Sequence, residues 1–219
     1  MPPSINKLAH DILTNPCTVQ VGNTAPPVTV SHALYPVEQH LKTALLLELL
    51  KHTDTESVLI FTRTKHRAKR LGEQLEKAGY SAASLQGNLS QNRRQAALDG
   101  FRDGTYQILV ATDIVSRGID IDDISLIINY DVPHDAEDYV HRIGRTARAS
   151  AKGMSITFVS EEEQYKFKQI EDFLEKDIYK IPMPVELGEA PEYKPELHRY
   201  GHKKFTSGKG HFKRSKPKR

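Results

Sequence analysis

Short apolar runs alternate with segments of helical periodicity through most of this chain, and that alternation constrains its fold more than any other feature. Residues 58–62 (VLIFT), 107–111 (QILVA) and 125–130 (SLIINY) are apolar on both faces of an extended chain. As strands they need cover on two sides, which is the habit of a parallel sheet between helical layers. Further strands are predicted at 28–37, 81–85 and 154–159. Helical spacing fills 38–51, 65–78, 91–102, a segment opening at Asp135, and 161–174. Gly79 is placed to end one helix. Ser90 is placed to cap the next, and Asp135 begins another with Asp138 at its third position. The prediction is an α/β domain, a three-layer sandwich with a mostly parallel central sheet. In such sheets ligands bind beyond the carboxyl ends of the strands.

Composition narrows the class. The 219 residues are 38% hydrophobic and 27% charged, as expected of a globular domain with an appendage. No apolar stretch is long enough to span a bilayer, and no basic region followed by an apolar one opens the chain, so no membrane partner is expected. The single Cys17 excludes an internal disulfide and a cysteine metal site. A cytoplasmic location is the expectation.

The net charge of +3 hides an asymmetry. Residues 197–219 hold nine of the 31 Lys and Arg and none of the 28 Asp and Glu, leaving −6 on residues 1–196. Such a tail is predicted to be disordered. Tyr200, Phe205 and Phe212 are spaced among its charges, and cations with interleaved aromatics suit a single-stranded nucleic acid. His198, His202 and His211 lack ligand-like partners in sequence and are expected to be solvated. At the other end, 5–13 has helical spacing, 17–21 alternates like a strand, and Pro26 and Pro27 mark 23–27 as a linker.

Four polar clusters each follow a predicted strand: Arg63, 87–94, 112–120 and 130–148. Gly87 permits close backbone approach, and Gln91 and Arg94 sit one turn apart at a helix start. Thr112 can donate to a phosphate and Asp113 can cap a short helical turn. Arg117 and Gly118 can meet a nucleic acid backbone. Asp120 can accept from a ribose hydroxyl or hold an arginine. In the octapeptide HRIGRTAR (141–148), a helix would place His141, Arg145 and Arg148 on one face, where guanidinium forks can clamp phosphate oxygens.

LIFTRTK (59–65), QGNLSQNRR (86–94), ATDIVSRGIDI (111–121) and YVHRIGRTAR (139–148) resemble, in order and spacing, the motifs of the second RecA-like lobe of DEAD-box RNA helicases. The basic tail is most similar to the bacterial RhlE-like group. The resemblance covers 28–180. It implies a RecA-like fold and makes 1–22 the end of the first lobe, with 181–196 a linker to the tail. It implies that Arg145 and Arg148 are arginine fingers to ATP, that Gly118 and Asp120 lie by its ribose and phosphates, and that His141 and Arg142 couple the lobes. Arg63, Gly87, Gln91, Arg94, Thr112, Asp113 and Arg117 would hold the RNA backbone or organise its site. Partners implied are RNA, as single strand or short duplex, and the first lobe. Ala147 stands where the family often has Gly, and Asn88 where Asp is common.

The chain contains no GxxxxGK[ST] loop, no Asp-Glu-Ala-Asp and no Ser-Ala-Thr. A P-loop NTPase needs such elements for phosphates and Mg²⁺. ATP and Mg²⁺ are therefore expected as cofactors of a two-lobed parent, with Mg²⁺ held by the other lobe and none by this chain, which alone should lack ATPase activity. Two readings compete: a lobe of a DNA-directed superfamily 2 helicase, and a non-catalytic nucleic-acid-binding module.

Overall fold

The computed structural model describes residues 30–53, 56–116, 124–146 and 153–198. The expectations for 1–22, for 23–27, for Arg117, Gly118, Asp120, Ala147 and Arg148, and for 199–219 of the tail lie outside the described residues.

Seven strands form the sheet: β1 (Val30–Pro36), β2 (Val58–Phe61), β3 (Ala82–Leu85), β4 (Ile108–Ala111), β5 (Leu126–Asn129), β6 (Gly153–Val159) and β7 (Tyr179–Lys180). Their spatial order is β3-β4-β2-β5-β6-β1-β7, and every pairing is parallel. The helices are α1 (Lys42–Lys51), α2 (Lys65–Lys77), α3 (Gln91–Arg102), α4 (Asp113–Ser116), α5 (Ala136–Ile143) and α6 (Gln164–Phe173). This is a RecA-like α/β domain.

The apolar runs behave as two-sided strands. In β2, β4 and β5 all four residues are buried. Val58, Ile60, Ile108, Val110, Leu126 and Ile128 pack with Leu45, Leu46, Leu71 and Leu75 of α1 and α2. Their alternates Leu59, Phe61, Leu109, Ala111 and Ile127 pack with Leu98 and Phe101 of α3. Leu34, Tyr139, Ile143, Phe167 and Ile170 form a third cluster under α5 and α6. Each such aliphatic side chain contributes about 1.5–3 kcal/mol on burial, and strands and helices share these clusters.

The connections through α1 and α2 run one way along the sheet, while those through α3, α5 and α6 run the other way. Right-handed crossovers put the two sets on opposite faces. The loops after β4, β2 and β5 therefore diverge and leave a crevice above three carboxyl ends.

Caps fall where the sequence places them. The Ser90 side chain accepts from Arg93 N at 3.4 Å, and Asp135 Oδ1 accepts from Asp138 N at 2.8 Å. Gly79, at φ 91°, ends α2, with its N–H on Glu76 O and Tyr80 N–H on Leu75 O. Two boundaries differ. A 3-10 turn, Gln39–Leu41, precedes α1, and another, Glu161–Glu163, precedes α6. Residues 181–196, read as a linker, run against the lobe. Ile181 N donates to Leu34 O at 2.8 Å and Met183 is buried with α1 and α2. The Gln164 amide donates to Glu192 O and accepts from Lys194 N, at 2.8 and 2.7 Å.

Candidate functional site

A cleft of about 400 Å³ opens above the carboxyl ends of β4, β2 and β5. Arg63 and Lys65 come to it from the loop after β2 and the start of α2, Gly87 from the loop after β3, and Thr112 and Asp113 from the end of β4. Val132 and His134 reach it from the loop after β5, Asp138 and Arg142 from α5, and Lys166 from α6. Thus Arg63, Gly87, Thr112, Asp113 and Arg142, expected as site residues, meet in one place.

Arg63 is held at two points. Its backbone N–H donates to Asp131 Oδ2 at 2.8 Å, and its Nη2 donates to Glu163 Oε1 at 2.7 Å. The other Glu163 oxygen takes Lys42 Nζ at 2.5 Å, and Lys42 also donates to Tyr130 O at 3.0 Å. Lys42 is 0% exposed, whereas the Arg63 side chain is 53% exposed. The row Lys42–Glu163–Arg63 thus runs from core to cleft. Burial acts to raise the Glu163 pKa, but Lys42, Ser160 and Arg63 outweigh it and hold the carboxyl below its usual range. Glu163 is further fixed by its capping box with Ser160.

Arg142 is 3% exposed and makes a paired contact to Asp113, Nε to Oδ1 at 2.6 Å and Nη2 to Oδ2 at 2.7 Å. Its Nη1 reaches Asn129 Oδ1 and Asp131 O, both at 3.0 Å, and the guanidinium lies 4.8 Å from the Phe61 ring centroid. Asn129, opposite Thr157 in the β5–β6 register, donates to Thr157 Oγ1 at 3.1 Å. Arg142 is therefore a strut between β5, α4 and α5, and Asp113 serves the site by holding it.

Gly87 has ordinary φ, and a Cβ built on it would meet nothing within 4 Å. No contact among the described residues demands glycine there, and Gly87 lines the cleft. Gln91 is exposed at the start of α3. Arg94, one turn on, is half-buried, and its Nε is a buried donor without a hydrogen-bond partner. Neither Gln91 nor Arg94 lines the cleft, so the two expected site residues of α3 are not brought into it, and the unsatisfied Arg94 N–H is left as a buried donor. Lys65 Nζ donates to Asn88 Oδ1 at 3.1 Å.

The expected helical face of 141–148 needs correction, because α5 ends at Ile143. Arg145 N and Thr146 N turn back to Arg142 O and Ile143 O, both at 3.2 Å. Thr146 Oγ1 donates to Ile124 O, and Ile124 N donates to Arg145 O at 3.2 Å. The chain is drawn to the start of β5, so Arg145 rides on a pinned turn, half-buried, while His141 stays exposed on α5. Arg148, Arg117, Gly118 and Asp120 lie outside the described residues.

Sequence reasoning missed Lys42, Asn129, Asp131, Glu163 and Lys166. The capping-box spacing of Ser160 and Glu163 was a signal for one of them. The pKa of Lys166 is lowered first by burial and then by Arg63, a sign of crowded positive charge.

Residues 41–150 match the model of the helicase conserved C-terminal domain. The chain is 42% identical over 181 residues to the ATP-dependent rRNA helicase RRP3 of Kluyveromyces lactis, covering 82% of this chain and 37% of that protein. It spans about a third of the length of the curated relatives it matches. Among solved structures, Escherichia coli DEAD-box protein SrmB bound to the regulator of ribonuclease activity A superposes with a TM-score of 0.69 at 33% identity, covering 76% of this chain and 99% of that one. Saccharomyces cerevisiae Dbp5 bound to RNA and ADP BeF3 gives 0.74 at 28% identity, covering 83% and 49%.

Proposed function

The chain belongs to the helicase conserved C-terminal domain family, and on that premise we propose that it is the C-terminal lobe of an ATP-dependent DEAD-box RNA helicase, nearest the RhlE-like group. The observation that carries this reading is the cleft in which Arg63, Lys65, Arg142 and Lys166 gather around a Gly87 that no contact among the described residues requires. Arg63, Gln91, Arg94, Thr112 and Arg117 would grip RNA phosphates and sugars. Backbone contacts of that kind position a strand without reading its bases. The basic tail, with its aromatics, supports both the RNA assignment and the subgroup.

ATP would be shared with a first lobe. Arg145 fits a triphosphate by charge, and its turn is pinned by Ile124. Arg148, Gly118 and Asp120 would complete this side of the nucleotide. ATP supplies the phosphoanhydride whose hydrolysis resets the lobes. An arginine presented across an interface raises such rates on the order of 10³–10⁵-fold. Among the described residues no group of three or more His, Cys, Asp or Glu could hold a metal, and the reading assigns Mg²⁺ to the first lobe.

Fluorescence anisotropy of a labelled single-stranded RNA against this chain, over a salt series, tests the proposal. Binding that weakens as log salt rises, and exceeds that of the matching deoxyribose strand, is expected. Equal grip on DNA would favour a DNA-directed lobe. No binding to either strand would sink the nucleic-acid reading, and ATP turnover by this chain alone would contradict the two-lobe assignment.

A further inference from the structure

A second hollow, of about 250 Å³, lies between α1 and α2, lined among others by Gln39, His40, Arg67, Arg70, Gln74 and Tyr130. Among the described residues no carboxylate lines it. Its wall is fixed, because Tyr130 is buried and its hydroxyl bonds Thr43 Oγ1 at 2.9 Å. Its donors are available: among the described residues the side chains of Gln39, Arg70 and Gln74 have no hydrogen-bond or ion-pair partner. Arg67 is the exception, held by Asp131.

Asp131 ties this hollow to the cleft. One of its oxygens takes Arg67 and the other takes the backbone N–H of Arg63 at 2.8 Å. From Arg63, arginines recur at positions 67 and 70, followed by Gln74. Steps of three and four residues along α2 keep Arg67, Arg70 and Gln74 on one side, each step advancing about 4.5–6 Å. The line of donors leaves the cleft and ends in the hollow.

We propose that the hollow between α1 and α2 is a second phosphate site, which holds an RNA strand as it leaves the cleft past Arg63. This rests on the reading of the lobe as an RNA binder. The chemistry favours a polyanion over a protein partner. Among the described lining residues the two large apolar side chains, Leu71 and Tyr130, are both buried, so the hollow exposes no apolar anchor for a protein partner. The space takes a phosphate with ordered water beside it, since a water needs about 10–15 Å³ of such a cavity.

The test uses the full chain and two labelled single-stranded RNAs, of about five and about twelve nucleotides, within the range of known site sizes. Three proteins are compared: wild type, Arg70→Ala, and Lys77→Ala, which removes an exposed charge from the last turn of the same helix. The site predicts that Arg70→Ala binds the short strand like wild type and the long strand about three- to tenfold more weakly. Its salt slope on the long strand should be shallower by about 0.7. Gln74→Ala should weaken the long strand in the same direction, and Lys77→Ala should match wild type. Equal losses for Arg70→Ala and Lys77→Ala, or none for either, would overturn the site while leaving the lobe an RNA binder. A wild type that binds neither strand would sink the RNA reading and this site with it. A labelled poly-glutamate peptide whose binding needs Arg70, with RNA indifferent to that residue, would make the hollow a protein-docking site and overturn the assignment.

Discussion

Four hydrogen bonds immobilise the Arg142 guanidinium, and each comes from a planar fork that lysine lacks. Arg142→Lys keeps the charge but should leave buried Asn129 and part of the Asp113 carboxylate short of donors, costing about 1–3 kcal/mol. Urea denaturation would show it; an unchanged midpoint would mean the strut is dispensable. A second residue-scale effect concerns pH. His32 bonds Tyr139 Oη through Nδ1 at 3.0 Å. Burial first, and then Lys176, lowers its pKa from 6.5 to about 4. Between those values the unfolded chain binds a proton that the folded chain refuses, so stability should fall as pH drops from 6.5 towards 4. His32→Gln should remove that part of the pH dependence. Stability curves of wild type and variant that stay parallel across this window would refute it. Neither residue's role was legible in the sequence. Arg142 was read as a coupling residue, but its partners sit on other elements, and His32 was one polar residue in a predicted strand.

At the level of elements, the turn after α5 depends on β6. A Cβ on Gly153 would collide with the side chain of Thr146, which is itself tied to Ile124 O. Gly153→Ala should displace the turn that carries Arg145, destabilising the lobe by about 1–3 kcal/mol, as overpacking does. Thermal unfolding would measure the loss, and Thr146→Ser in the same chain should restore only part of it, since Oγ remains. A Gly153→Ala chain with wild-type melting would show that the turn yields freely. The strands and helices themselves were largely legible. Their signal is local: two-sided apolar runs for β2, β4 and β5, and caps at Ser90, Asp135 and Gly79. The end of α5 was not. Nothing within 141–148 announces that Ile124, some twenty residues earlier, pulls the chain out of its helix.

For the whole molecule, the three layers followed from alternation, but two long-range arrangements did not. Lys42 opens a leucine-rich helix like any solvated lysine, yet it is buried against Glu163. The strand β7 is two residues long, too short for any periodicity, and is defined by its pairing with Ala33 and Leu34. The strand order has a consequence in time. Val30 pairs with Gly153 and Pro36 with Val159, so the first described strand finds its main partner only among the later ones. Central β2 likewise waits for β4 and β5. Closing such long loops is slow, since their entropy is lost before the contacts repay it. On a ribosome, β1 and α1 would emerge with no edge among the described strands to join until β6 had been made. The nascent lobe is then a chain with exposed apolar runs, and its safe passage depends on how fast synthesis reaches residue 159 rather than on any local helix or turn.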